Sequence, residues 1–228
     1  MPGWTFQLIP QMQSPNLACS FMTKPVSIFI ILTFAFFASF GQTQKGSLYV
    51  FVGEKIEVSQ FYPKADKNFI LMDGAFKAKY KIIQNIYGNY KGDTIQFEAY
   101  DHFGEPAFSK YKYVLLFVSV YNGKLYHEKY QFFDVYKTKN GRWASSYKVD
   151  DYEHSYNKNT PVKPELIDFE KEVSYNIKGR SKEDVEHLFP SPYFKIADNK
   201  AIAVYGNYAE QLFELKKTGV LKERGIFD

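Results

Sequence analysis

The chain has 228 residues, with 29 Lys and Arg against 25 Asp and Glu and a formal net charge of +4. Charges of both signs are interspersed rather than blocked, which disfavours nucleic acid and anionic membrane as partners. The only cysteine is Cys19, so an internal disulfide framework and a multi-cysteine metal site are excluded.

The first element is an apolar run from Val26 to Phe40. It is shorter than the roughly 20 residues that a membrane-spanning helix needs. Lys24 stands in front of it, and Ser39 and Gly41 supply the small residues expected before a signal-peptidase cut. A secretory leader over residues 22–41 is therefore predicted, cleaved between Gly41 and Gln42, and the expected location is periplasmic or secreted. Residues 1–21 carry no charge and contain Pro2, Pro10 and Pro15, unlike a normal leader start, so translation is expected to begin at Met22. Cys19 precedes the apolar run, where a lipoprotein box cannot lie. Loss of the leader removes Lys24, leaving a net charge of +3 and no cysteine.

The body then reads as strands. In LYVFVGEKIEV, Leu48, Val50, Val52, Ile56 and Val58 share one parity, and Gly53 marks a bulge or a close backbone approach. Residues 60–74 form a loop broken by Pro63 and Gly74. In FKAKYKIIQNIY, Phe76, Ala78, Tyr80, Ile82 and Ile86 face one way and Lys77, Lys79 and Lys81 the other, a half-buried strand. TIQFEAY returns with Ile95, Phe97 and Ala99 inward, and with Gln96 and Glu98 outward toward the lysines. YVLLFVSV is apolar on both parities, as in a strand covered on both faces. Asn122-Gly123 turns it into KLYHEKYQFFDVYKT, and Asn140-Gly141 repeats the turn signal before RWASSYKV. After about Asp150 a polar stretch leads to a strand in ELIDFEKEVSYNI and a short helix opened by Ser181. A further strand, KAIAVYGNY, is followed by a helix capped by Asn207 and stopped by Gly219. The expected class is β-rich α+β: an antiparallel OB-like β-barrel over 45–148 with a smaller α+β extension over 149–228.

From Leu48 to Val120 the strand order resembles the netrin-like, OB-type domain of the tissue inhibitors of metalloproteinases. The segments that carry this are VFVGEKIEV, FKAKYKIIQNIYGNYKGDTIQF and FSKYKYVLLFV. The resemblance implies a small exported barrel that presents a surface to a partner. It does not bring the inhibitors' zinc grip, which uses an N-terminal cysteine where the expected mature chain has Gln42.

Candidate sites are sparse. His102, His127, His154 and His187 show no metal-pair spacing, and no phosphate-binding glycine loop or serine-hydrolase elbow occurs. No catalytic residue, metal or other cofactor is therefore expected. DDYEH, Asp150 to His154, gathers acids in a polar loop without the EF-hand pattern. Tyr126, Tyr130, Phe132 and Tyr136 share a parity and form the expected contact face. The expected role is a non-enzymatic binding or interaction module of the cell envelope, toward an envelope protein or a glycan. A carboxylate-dependent hydrolase using acids such as Asp101 or Asp150 is the alternative.

Overall fold

The computed structural model describes residues 47–63 and 72–228. The expected leader, its cleavage point at Gly41 and Gln42, Met22 and Cys19 lie outside the described residues, as does most of the first loop.

Five strands carry the first half: β1 (Leu48–Phe61), β2 (Gly74–Tyr87), β3 (Thr94–Asp101), β4 (Tyr113–Tyr121) and β5 (Lys124–Asp134). They pair in the order β1-β2-β3-β5-β4, and β4 returns to β1, so the sheet closes into a ring. Every join is antiparallel except that of β3 to β5, a single parallel bridge between Glu98 and Tyr126.

Alternation along the strands fills two cores. Inside the ring lie Phe51, Phe76, Ala78, Tyr80, Ile95, Phe97, Ala99, Val114, Leu116 and Val118, with Phe108 from a 3-10 turn (Ala107–Lys110) among them. On the outer side of β1, β4 and β5, Leu48, Val50, Val52, Leu115, Phe117 and Phe133 are covered by helices α3 (Ala209–Thr218) and α4 (Val220–Glu223). YVLLFVSV is thus buried on both faces, as its composition implied. The parity expected from Leu48 to Val58 breaks. β1 shifts register against β2 at three points, leaving Val58 with the inner cluster and Ile56 exposed. One shift falls at Gly53, where a Cβ would lie 3.0 Å from the Phe51 ring and 3.1 Å from that of Tyr80.

The chain leaves the ring at Val135. Strands β6 (Tyr136–Lys137) and β7 (Trp143–Ser146) belong to a second sheet, completed by β8 (Glu165–Leu166) and β12 (Tyr205–Tyr208) in the order β6-β7-β12-β8. A third sheet has β10 (Phe194–Ala197), β11 (Lys200–Ala203) and β9 (Ser174–Asn176) in that order. The boundary expected at 148 therefore cuts a sheet, because β7 pairs with β12 across it. ELIDFEKEVSYNI divides between β8 and β9 in different sheets instead of forming one strand. Two short helices, α1 (Val149–Glu153) and α2 (Lys182–Leu188), lie between these strands; the Ser181 hydroxyl accepts from the Asp184 N–H and caps α2. Asn207 does not cap α3. It is 1% exposed and bridges the Tyr152 hydroxyl and the Lys163 carbonyl, while Gln211 accepts the Tyr208 N–H at the helix start. A buried amide satisfied at both ends outweighs the gain of an exposed cap.

Candidate ligand face and polar centre

β2 and β3 pair with Lys77 opposite Glu98 and Lys79 opposite Gln96, the facing expected from their alternation. On the other flank, β1 sets Glu57 opposite Lys79 and Glu54 opposite Lys81. Each lysine thus has an acid as a cross-strand neighbour, although Glu54 is paired with Lys112 at 3.3 Å.

At the end of this surface the outward side chains are aromatic. Phe61 and Tyr100 are both in register with Ala75, which is 1% exposed between them. Their ring centroids are 6.4 Å apart; Tyr100 meets Tyr126 at 6.3 Å, and Tyr126 meets Tyr121 at 6.5 Å. A row of four rings thus runs from β1 over β3 and β5 to β4. The Lys77 ammonium lies 5.1 Å from the Phe61 centroid. The Tyr100 hydroxyl donates to Glu98 at 2.8 Å; burial, then this carboxylate, push the phenol up to about 12, so it remains a donor at neutral pH. Beside the single β3–β5 bridge a recess of about 370 Å³ opens, lined by Lys77, Gln96, Phe97, Glu98, Gly123, Lys124 and Leu125. Asn122 and Gly123, both with positive φ, make the tight turn that borders it.

Tyr126, Tyr130, Phe132 and Tyr136 do not share one face. Between its pairings with Val118 and Leu116, β5 advances from His127 to Phe132, five residues against two, and the odd excess reverses its parity. Tyr126 joins the aromatic row. Tyr130 sits on the bulge at φ 66°, 45% exposed, with its ring 6.1 Å from that of Phe103. Phe132 packs toward the inner core against Phe108. Tyr136 lies in the second sheet, its ring edge-on to Phe169. The residues missed in the sequence are Phe61, Tyr100 and Tyr121; Tyr100 was signalled by standing on the outward parity of a strand whose inward set was already clear.

The acids named in the sequence are occupied elsewhere. Asp101 accepts the Phe103 N–H, and His102 turns to Asp73 at 3.4 Å, so the adjacent pair points apart. Asp150 is exposed in the first turn of α1, and Asp151 holds Lys216 at 2.5 Å. Among the described residues no group of three or more His, Cys, Asp or Glu could hold a metal ion.

The densest polar constellation is one that sequence spacing could not assemble. The Asp134 carboxylate, 4% exposed, receives Lys148 at 3.0 Å, the Tyr136 hydroxyl at 2.9 Å and the Tyr175 hydroxyl at 3.4 Å. Lys148 also donates to the Tyr175 oxygen, which lies 2.7 Å from Ser146 Oγ. A Ser-Tyr-Lys grouping can serve nucleophilic chemistry only if lysine or tyrosine gives up its proton. Here burial works against the Lys148 charge, but Asp134 and then Tyr175 outweigh it and hold the pKa above its ordinary value. Burial and Asp134 push Tyr136 up as well. Lys148 keeps its proton at neutral pH and directs it to Asp134 and to the Tyr175 oxygen beside Ser146, which is 2% exposed. This is a tie between β5, β7 and β9.

Among the described residues no helix is long and apolar enough to cross a membrane. Comparison with family models, curated proteins and solved structures returns no match.

Proposed function

We propose that the protein is an exported, non-enzymatic binding module of the cell envelope, built on an OB-type barrel related to the netrin-like domains, and that it holds a glycan along the Phe61–Tyr100–Tyr126–Tyr121 row. The row is the observation that carries this reading. The strand order β1-β2-β3-β5-β4, with β3 and β5 parallel, supports the OB-type assignment. In such barrels the face of strands 2 and 3 and the adjoining loops take oligosaccharides or oligonucleotides. The acids interleaved with the lysine stripe favour the saccharide, because single-stranded nucleic acid needs an unbalanced positive track beside its stacking rings. Three phenols, Gln96, Glu98 and Lys124 supply the hydroxyl-binding groups that an apolar platform alone lacks. The protonated Lys148 and the buried Ser146 speak against a hydrolase at the polar centre.

The test has two arms. Protein recovered from the periplasm or medium is expected to begin at Gln42; a chain still carrying Phe34 to Phe37 sinks the export half. For the ligand, an array of neutral and acidic oligosaccharides is screened, and the best binder is measured by calorimetry against Tyr100→Ala and Tyr126→Ala. Each substitution is expected to weaken binding about tenfold or more, in line with loss of a stacking aromatic anchor. A short single-stranded DNA that binds more tightly than any sugar, with affinity falling steeply in salt, overturns the glycan reading.

A further inference from the structure

A second recess lies at the seam where the chain passes from the ring to the second sheet. It has a volume of about 440 Å³ and is lined by Tyr113, Val135, Tyr136, Lys137, Trp143 and residues 170–172. Both the size and the position at a junction of two substructures are those of small-molecule sites. Its walls are fixed by backbone pairing. Val135 N–H donates to the Tyr113 carbonyl, and Glu170 N–H donates to that of Lys137. Thr138 bridges Phe169 between them.

The floor is aromatic. The Tyr113 and Trp143 centroids are 4.7 Å apart, and both tyrosine hydroxyls are used internally, Tyr113 on Glu54 and Tyr136 on Asp134. The rings therefore offer edges rather than polar tips, since Lys112 lies over the Tyr113 ring at 5.0 Å and Lys137 over that of Trp143. The rim is charged and only partly balanced. Glu172 is matched by Lys200 at 3.1 Å, which holds its carboxyl below the usual range. Lys137 rests over the Trp143 ring at 4.9 Å, and among the described residues neither it nor Lys171 has a carboxylate partner. The Glu170 side chain has no partner among the described residues either. Among the described residues, two ammonium groups and one carboxylate at the rim thus lack an ion partner, the Lys137 ammonium lying on the Trp143 ring.

We propose that this recess binds an anionic saccharide, with its carboxylate between Lys137 and Lys171, hydroxyls donating to Glu170, and the apolar C–H groups of a sugar against the edges of Tyr113 and Trp143. Charge selects an anion, since two cations without a carboxylate partner face one acid without a cation. Glu170 selects among anions, because a ligand without hydroxyl donors would leave that carboxylate opposed only by its own charge. The site is separate from the aromatic row and does not depend on it.

Trp143 is the natural reporter: the other tryptophan, Trp4, precedes the expected start at Met22, and a chain that retains it carries Trp4→Phe. Trigalacturonate is titrated against that protein and followed by indole fluorescence, with cellotriose and a tri-aspartate peptide in parallel. The expected result is saturable change with trigalacturonate alone, weakened about tenfold or more in Lys137→Gln/Lys171→Gln, whose exposed side chains are dispensable for folding. Retention of that binding in Tyr100→Ala/Tyr126→Ala supports a site distinct from the row. No saturable response to trigalacturonate overturns the proposal. Equal binding of cellotriose overturns the anionic class, and equal binding of tri-aspartate overturns the saccharide. Loss in the tyrosine pair but not in the lysine pair would move the sugar to the outer face and likewise overturn it.

Discussion

His127 stands at the start of the β5 bulge, with its ring 4.6 Å from Phe108 and 6.1 Å from Phe97, and its Nε2–H donating to the Gln131 carbonyl at 2.9 Å. Burial pushes its pKa down to about 4. The unfolded chain binds this proton near pH 6.5, so the folded state gives up proton affinity in the interval between the two values. The neutral ring therefore contributes fully above pH 6.5, and its contribution falls as the pH drops toward 4, by about 3 kcal/mol in total. Urea unfolding at pH 7 and pH 5 should show wild type losing more stability than His127→Phe over that interval, whatever the variant costs at pH 7. Equal losses in the two proteins would show that the ring does not resist protonation. The same contacts explain how Tyr130 is held at a positive φ, where a non-glycine residue costs about 1–3 kcal/mol. His127 closes the bulge, Arg224 donates to the Lys129 carbonyl, and Lys129 reaches Asp73 at 2.7 Å.

At the scale of elements, the Asp134–Lys148 pair joins β5 to the strands that follow it, and its two ends are unequally buried. Asp134 is 4% exposed and Lys148 31%. Removing the lysine strands a carboxylate with only two phenol donors, whereas removing the acid leaves an ammonium that can still reach water. Lys148→Met should therefore cost about 3 kcal/mol and Asp134→Asn less, with the double variant short of the sum. Equal single losses that simply add would mean the pair is not a working unit. This tie also marks what the sequence could and could not disclose. Period-two alternation identified β2 and β3, because one face of each is set by burial alone, and apolar residues on both parities identified the doubly buried β4. Bulges are invisible to that reasoning. The odd excess in β5 sent Phe132 inward and Tyr130 outward, scattering a contact face that looked continuous. Asn122-Gly123 worked as a tight hairpin because both residues adopt positive φ; at Asn140-Gly141 only Gly141 does, and Thr138 and Arg142 close a wider turn. The aromatic row and the seam recess depend on cross-strand register between distant segments, so neither could be read from spacing along the chain.

For the whole molecule, the decisive fact is that the ring does not cover its own outer surface. Leu48, Val50, Val52, Leu115 and Phe117 are each at most 4% exposed because Leu212, Phe213 and Leu221, far later in the chain, lie over them. The tail continues this cover, with Phe227 meeting both Tyr87 and Phe213. Lys45–Asp228 accordingly cluster as one unit. Burying an aliphatic or aromatic side chain contributes roughly 1.5–3 kcal/mol, and a domain's total stability is about 5–15 kcal/mol. Stripping five such residues at once exceeds what the inner core can spare. A fragment ending at Lys148 should therefore fail to give a dispersed amide spectrum and should self-associate through the uncovered face of β1 and β4. Residues 149–228 added in trans should restore dispersion, since they bring back both the helices and the β12 partner of β7. A fragment of 45–148 that is monomeric and well dispersed alone would show that the ring is an autonomous domain, and that the helices are attached to it rather than part of its core.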